Sequence, residues 1–210
     1  MRTLWVEASP KGRASLSSEA ARAFLDAAGG GTVDHLDVWA EDVPTFDREA
    51  ATAKFAPLFG ETLTESQEAG WERVRAGIDR VRASDRVVIS SPMWNWSIPA
   101  PLKNWIDVIV QPLLTFTLDG DGRHVGTLGE GRPLHLILTR SSAYDGRHPE
   151  LQDFQLPYLE YVFGLLGYRV DSLVLEPTTR WTAQEREQFR VEALATARQR
   201  GEQAAKASPV

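Results

Sequence analysis

One loop of the chain combines aromatic, thioether and amide side chains between prolines. Met93, Trp94, Asn95 and Trp96 follow the apolar run that ends near Ser90 and precede a helical pattern that reaches Asp107. Proline fixes φ and restricts the residue before it, so the loop should hold its shape. Ligands of open α/β sheets bind at the carboxyl ends of strands. The aromatics therefore suggest a wall for a flat ligand, or else a cap on the core.

A second group of polar residues lies between the first predicted strand and helix. Ser9, Ser15 and Ser17 provide small hydroxyls, and Lys11 and Arg13 add positive charge. A helix amino terminus carries partial positive charge and free N–H groups, so this loop suits an anion such as phosphate. Neither a Walker sequence nor G-x-G-x-x-G is present. Simple capping of the helix by Ser15 or Ser17 is the alternative.

The third candidate loop follows the fourth predicted strand. It runs from Thr139 to Gly146 and includes Ser141, Ser142 and Tyr144. The carboxyl ends of parallel strands meet at one edge of a sheet, so this loop should converge with the other two on one crevice. The first loop would hold a phosphate, and the other two would hold a flat ring between them. Flavin mononucleotide (FMN) fits that arrangement.

Apolar periodicity predicts the elements that position these loops. Strands are predicted at about residues 3–8, 32–38, 86–90, 133–139 and 169–175, and helices at about 15–28, 64–83, 98–110, 156–166 and 182–207. This alternation predicts an α/β fold with a parallel sheet covered on both faces. Five strands fit the flavodoxin-like order 2-1-3-4-5, with a hairpin insertion near residues 115–128. Residues 39–60 are predicted as a long loop with one short helix.

Composition limits the class of protein. The 210 residues are predicted to form a single domain, residues 1–210, and the net charge of -6 argues against general nucleic-acid or anionic-membrane binding. Without cysteine the chain has no disulfide, thiolate nucleophile or Cys zinc site. No signal peptide or membrane span is predicted, so we expect a cytoplasmic protein. The four histidines show no metal-ligand spacing, and His135 is expected to be packed.

Several segments match one known family in order and spacing over most of the chain. They are Ser9-Pro10, Ser15-Leu16-Ser17, Pro92-Met93-Trp94-Asn95-Trp96, Leu102-Lys103-Asn104-Trp105-Ile106-Asp107, Thr115-Phe116 and Thr139-Arg140-Ser141-Ser142. With these segments the chain resembles the FMN-dependent NADH azoreductases, which are also NADH:quinone oxidoreductases of flavodoxin-like fold. The aromatic loop followed by Leu-Lys-Asn-aromatic-x-Asp is the most specific part of the resemblance.

The resemblance implies a role for each matching residue. Ser9, Ser15 and Ser17, with the backbone of Leu16, would bind the FMN phosphate. The Asn95 N–H would face the flavin N5 region. The remaining cofactor contacts would come from Pro92, Met93, Trp94, Trp96, Thr139, Ser141 and Ser142.

The resemblance also implies a reaction and an assembly. The family is homodimeric, with active sites at the interface. In a ping-pong reaction, NADH or NADPH delivers a hydride to FMN and leaves, and two electrons then pass to a quinone or azo compound.

Five positions depart from the family pattern. Ser141 and Ser142 stand where two glycines are usual, and Trp94 and Trp96 stand where Tyr and Phe are common. Tyr144 stands where relatives often have His, and its phenol is a candidate hydrogen-bond donor to the acceptor.

Two other functions stay open: a non-catalytic FMN carrier or redox sensor, and a phosphate-responsive receiver domain. The receiver lacks support, because Ser9 follows the first strand where an acidic cluster would be expected.

Overall fold

A computed structural model describes residues 1–29, 31–39, 43–179 and 182–207. Gly30, which we expected to help end the first helix, lies outside the described residues. So do Trp181, expected to pack in the core or on the surface, and the tail from Ser208, expected to fray. Within the described ranges, no helix is long and apolar enough to cross a membrane.

The structure contains one parallel sheet and one antiparallel hairpin. The strands are β1 (Arg2–Glu7), β2 (Thr32–Asp37), β3 (Arg86–Pro92), β4 (Phe116–Leu118), β5 (His124–Gly126), β6 (Pro133–Thr139) and β7 (Arg169–Leu175). The sheet order β2-β1-β3-β6-β7 is entirely parallel and confirms the predicted flavodoxin-like order. β4 and β5 form the predicted hairpin. Glu7 pairs with Ser90, and Pro92 pairs with Thr139, so the three candidate loops leave the same edge of the sheet.

Six α-helices are found in the described residues, five between strands and one after the last strand. They are α1 (Leu16–Ala28), α2 (Arg48–Ala53), α3 (Glu65–Arg82), α4 (Ala100–Ile109), α5 (Leu156–Leu165) and α6 (Ala183–Ala207). A capping box between Thr64 and Gln67 begins α3. Before α6, the Glu185 N–H donates to Thr182 Oγ1, and the Thr182 N–H donates to Glu185 Oε2, as predicted. The long segment after β2 holds α2 and a 3₁₀ turn, Ala56–Phe59, where one short helix was expected.

Alternating residues of the central strands pack against different helices. Leu4, Val6 and Ile89 belong to a buried cluster with residues of α3, α4 and α5. Trp5 and Val88 belong to a second cluster with residues of α1 and α6. Both faces of the sheet are therefore covered, which explains why the strands are almost continuously apolar.

The contact between α1 and α6 depends on Gly201. A Cβ at this position would lie 2.3 Å from the Phe24 carbonyl oxygen and 2.9 Å from the Ala27 Cβ. Alanine normally stabilises a helix interior by about 1 kcal/mol relative to glycine. Here the clash with backbone should dominate, and we expect Gly201→Ala to lower the free energy of unfolding by about 2 kcal/mol in urea denaturation.

Gly164 provides the matched control in α5. A Cβ added to Gly164 would meet nothing within 4 Å, so Gly164→Ala should be neutral or stabilising by up to about 1 kcal/mol. Equal effects of the two substitutions would show that helix propensity, and not close packing of α1 on α6, sets the requirement for Gly201.

Candidate functional site

A cleft of about 410 Å³ lies at the carboxyl edge of the sheet. Its volume is in the range of small-molecule sites. It contains residues from the loops after β1, β3, β6 and β7, together with residues from α6. The lining residues are Ser9, Pro10, Lys11, Ala14, Ser15, Leu16, Pro92, Trp94, Thr139, Thr178, Thr179, Arg186, Phe189 and Arg190.

The serine loop leaves the amino terminus of α1 without a side-chain cap. Ser15 occupies the N-cap position, but its side chain makes no capping hydrogen bond. Its hydroxyl instead lies 2.8 Å from that of Ser17, which is fully buried. The first N–H groups of a helix have no intrahelical acceptor, so they are available to an anion in the cleft. The capping alternative is therefore wrong for the Ser15 and Ser17 hydroxyls.

The double-tryptophan loop is a tight two-residue turn. The Trp94 N–H donates to the Ser97 carbonyl at 3.0 Å, and the Ser97 N–H donates to the Trp94 carbonyl at 2.9 Å. Asn95 and Trp96 between them have φ of 46° and 65°. Positive φ at both central residues is the pattern of a type I′ turn. The Asn95 N–H takes no part in this pair of hydrogen bonds.

The turn directs the two tryptophans differently. Trp94 lines the first cleft and also a neighbouring cleft of about 580 Å³, whereas Trp96 lines neither. Asn95 lines only the second cleft. Met93 lines neither cleft, and its N–H donates to the Thr139 carbonyl at 2.8 Å. The structure therefore brings Trp94 to the predicted anion site and places Trp96 outside it.

Trp39 packs against Trp94 at the edge of this site, although no sequence motif indicated it. Its ring centroid lies 5.4 Å from that of Trp94, and its indole N–H donates to the Ala8 carbonyl at 3.0 Å. Trp39 follows β2, so it reaches Trp94 only because β2 and β3 flank β1 in the sheet. Its position just after a predicted strand was the available signal.

The loop after β6 lies beside the first cleft. Ser141 and Ser142 line a separate cavity of about 440 Å³, which shares Thr179 with the first cleft. Tyr144 lines none of these three cavities; its ring packs 5.2 Å from the Arg140 guanidinium. Burial raises the pKa of Tyr144 above its ordinary value, which already leaves a phenol protonated and able to donate at neutral pH.

Three residues of α4 were predicted to lie on the surface or support a loop. Lys103 lines the second cleft. Its ammonium group forms an ion pair at 2.6 Å with Asp107, one helical turn further along α4, as expected for a surface lysine. The Asn104 side chain accepts from the Phe46 N–H and donates to the Pro44 carbonyl. It therefore fixes the segment before α2 and not the aromatic loop.

The positive φ at Trp96 gives a test of this turn. Left-handed backbone costs an L-residue about 1 kcal/mol, and glycine avoids this cost. Since both variants lack the ring, we expect Trp96→Gly to be more stable than Trp96→Ala by about 1 kcal/mol in thermal or urea unfolding. At Trp94, whose φ is not positive, the order should reverse, with the alanine variant more stable. The same order at both positions would contradict the turn geometry.

The sequence of the whole chain was compared with known protein families. Residues 1–200 match the model of a family described as a flavodoxin-like fold. The chain belongs to this flavodoxin-like family. The FMN-dependent NADH:quinone oxidoreductase of Nitratidesulfovibrio vulgaris (strain DP4) is 38% identical over 201 residues, which cover 93% of this chain and 95% of that protein. A relative with the same description from Desulfotalea psychrophila is 33% identical over 180 residues, covering 83% of this chain and 84% of its own.

Solved structures of flavodoxin-like proteins share the same chain fold. The azoreductase of Bacillus anthracis str. Sterne superposes with a TM-score of 0.84, covering 97% of this chain and 99% of its own, at 23% identity. An FMN-dependent NADH-azoreductase from Bacillus anthracis str. Ames Ancestor, solved in complex with FMN, gives the same TM-score, coverage and identity. At this identity the likeness establishes the fold.

Proposed function

We propose that this chain is an FMN-dependent oxidoreductase that transfers two electrons from NADH or NADPH to quinones or azo compounds. The observation that carries the proposal is the uncapped amino terminus of α1, which shares one cleft with the flat side chain of Trp94. The first feature suits a phosphate and the second suits an aromatic ring, and FMN contains both. The names of the relatives support FMN as the cofactor, NADH as a donor and a quinone as an acceptor.

The residues present fit FMN at its phosphate end. Ser9 and Ser15 line the cleft, and the Leu16 backbone begins the helix. Ser17 does not line the cleft, but its hydroxyl hydrogen-bonds that of Ser15. Lys11 and Arg190 line the same cleft and offset the negative charge of a phosphate. Arg190 also forms an ion pair with Glu19, so its side chain is already ordered.

The ring end of the cleft is assembled from the ends of β3 and β6. Pro92, Trp94 and Thr139 line it, and the Met93 N–H joins the loop after β3 to β6 through its hydrogen bond to the Thr139 carbonyl. We assign the Asn95 N–H to the flavin N5 region. Ser141, Ser142 and Trp96 do not line the cleft itself. We therefore assign their contacts with the flavin, which the resemblance implies, to the outer edge of the ring.

When bound, FMN would supply the hydride chemistry, so the chain needs no nucleophile of its own. The protein binds the ring, orients it and excludes water from one side. A ping-pong order, in which the nicotinamide leaves before the acceptor binds, would let both substrates use one position over the ring. We assign Tyr144 as a hydrogen-bond donor to the acceptor. Tyr144→Phe kinetics equal to those of the unaltered protein would exclude that role.

Two further properties belong to the proposal. We propose a homodimer with active sites at its interface. Exposed Phe154, which lines the second cleft, and exposed Trp96 and Tyr161 are compatible with it. We also propose a cytoplasmic location. Sedimentation of the purified protein with and without FMN would test the dimer.

The visible absorption spectrum of the purified protein tests the cofactor directly. We expect the bands of oxidised flavin and release of FMN on heating. Bleaching by NADH or by NADPH under anaerobic conditions would then identify the donor. A colourless protein that also fails to quench the fluorescence of added FMN would contradict the proposal.

The alternative is an FMN-binding electron carrier or redox sensor on the same fold. Such a protein would show the same bound flavin but would oxidise NADH slowly with a quinone present. Steady-state NADH oxidation with a quinone therefore separates the two functions.

A further inference from the structure

Arg140 occupies an unusual position at the end of β6. Its side chain is only 3% exposed, although arginine is rarely buried unless it is paired. The guanidinium Nη2 donates to Asp153 at 2.7 Å, Nη1 donates to Glu176 at 3.2 Å, and Nε donates to Gln155 at 3.2 Å. These three acceptors belong to two segments that are separate in sequence, one before α5 and one after β7.

The acceptors of Arg140 connect it to the loop after β6, to the start of α5 and to the turn after β3. Glu176 accepts from the Tyr144 N–H through Oε1 at 3.1 Å, which holds the loop after β6. Asp153 accepts from the Gln155 and Leu156 N–H groups through Oδ1, which holds the start of α5. Between these, the Phe154 N–H donates to the Trp96 carbonyl at 3.0 Å. The guanidinium is therefore connected to the double-tryptophan turn through one short segment.

The backbone of the same residue joins the loops after β6 and β7. The Arg140 N–H donates to the Leu175 carbonyl, and the Thr178 N–H donates to the Arg140 carbonyl at 2.8 Å. The Thr179 hydroxyl then donates to the Ser141 carbonyl at 2.9 Å. Thr178 and Thr179 line the first cleft, so these contacts set the position of its wall.

We propose that Arg140 is a positioning residue that fixes the loops after β3, β6 and β7 relative to one another at the proposed FMN site. The inference rests on the proposed function only for the identity of the ligand. A buried ion pair is weak evidence of net stabilisation, because desolvation offsets most of the attraction. Arginine instead supplies a planar fork of donors, which sets the directions of several acceptors at once. Lysine retains the charge without that fork, so Arg140→Lys tests geometry separately from charge.

Arg132 offers a matched control at the opposite end of β6. Its guanidinium also donates to several acceptors, the carbonyls of Arg82, Ser84, Leu128 and Gly129. It lines a cavity at the amino edge of the sheet and not the candidate cleft. Arg132→Lys should therefore lower the unfolding temperature without altering the loops of the site.

The experiment compares Arg140→Lys, Arg132→Lys and the unaltered protein in two measurements. Hydrogen exchange of the FMN-free proteins should show the Tyr144, Phe154 and Thr178 amides exchanging at least about tenfold faster only in Arg140→Lys. Titration with FMN should show a dissociation constant raised at least about tenfold only in the same variant. Equal exchange rates and equal dissociation constants in the two lysine variants would overturn the proposal.

The two measurements separate failure of this inference from failure of the proposed function. If the unaltered protein binds no FMN but the exchange difference is present, the proposed function fails and the positioning role stands. If Arg140→Lys does not fold, Asp153→Asn replaces it, since an asparagine Oδ1 still accepts from the Gln155 and Leu156 N–H groups. Asp153→Asn should raise the Tyr144 and Phe154 exchange rates several-fold, and unchanged rates would overturn the proposal.

Discussion

Replacing Ser15 and Ser17 together by alanine should weaken FMN binding about 100-fold. A hydrogen bond to a charged group contributes about 1.5–3 kcal/mol, and Ser15 is the hydroxyl that lines the cleft at the amino terminus of α1. Ser17 is fully buried and acts through its 2.8 Å hydrogen bond to Ser15. The single variants should therefore differ, with Ser15→Ala weakening binding more than Ser17→Ala. Fluorescence titration with FMN measures these dissociation constants.

Ser18 is the matched control in the same turn of α1. It is fully buried, and its hydroxyl has no hydrogen-bond partner among the described residues. Ser18→Ala removes an unsatisfied polar group and should leave FMN binding within about twofold while maintaining or raising stability. If Ser18→Ala weakens binding as much as Ser15→Ala, general disturbance of α1 explains both effects, and the assignment of Ser15 to the phosphate fails.

Replacing Trp94 by alanine should weaken FMN binding about tenfold and also raise KM for a quinone acceptor. Trp94 lines both clefts, so its loss opens one into the other and removes the flat surface between them. An aromatic pair contributes about 0.5–1.5 kcal/mol beyond buried area, and the Trp39 contact would be lost as well. Flavin titration and initial rates at varied quinone concentration test both parts of this prediction.

Trp94→Phe is the conservative comparison. A smaller ring keeps a flat apolar surface in the same turn, so FMN binding should remain within a few-fold of the unaltered protein. Trp39→Phe loses the hydrogen bond to the Ala8 carbonyl and leaves Trp94 less constrained. It should raise KM for the acceptor more than it weakens FMN binding. Trp94→Ala with unchanged FMN binding would exclude this ring as a wall of the cofactor site.

The order of elements was predictable because it depends on local chemistry. The apolar run Val87-Val88-Ile89 and its counterparts in β1 and β6 are buried on both faces, whereas the edge strands β2 and β7 are partly exposed. This burial distinguishes the central strands from amphipathic helices. Caps at Thr64 and Thr182 mark two helix starts. Alternation of strands and helices then limits the topology, because parallel crossovers are right-handed.

The sequence also determined which loops form the site, but it did not determine where their side chains point. Trp94 and Trp96 have equivalent places in the motif, and only the turn with positive φ at Asn95 and Trp96 separates a ring that lines the cleft from one that does not. Ser15 and Ser17 are both buried, yet only Ser15 lines the cleft, since side chains two residues apart at the start of α1 point in different directions.

Two residues of the site were decided by tertiary structure alone. Trp39 meets Trp94, and Arg140 meets Glu176, across distances in sequence that no local pattern spans. A sequence specifies which strands form through neighbouring side chains, whereas the contacts of a loop depend on which strands become neighbours in the sheet. The parallel order β2-β1-β3-β6-β7 brings these loops to one edge and so determines which residues surround the cleft.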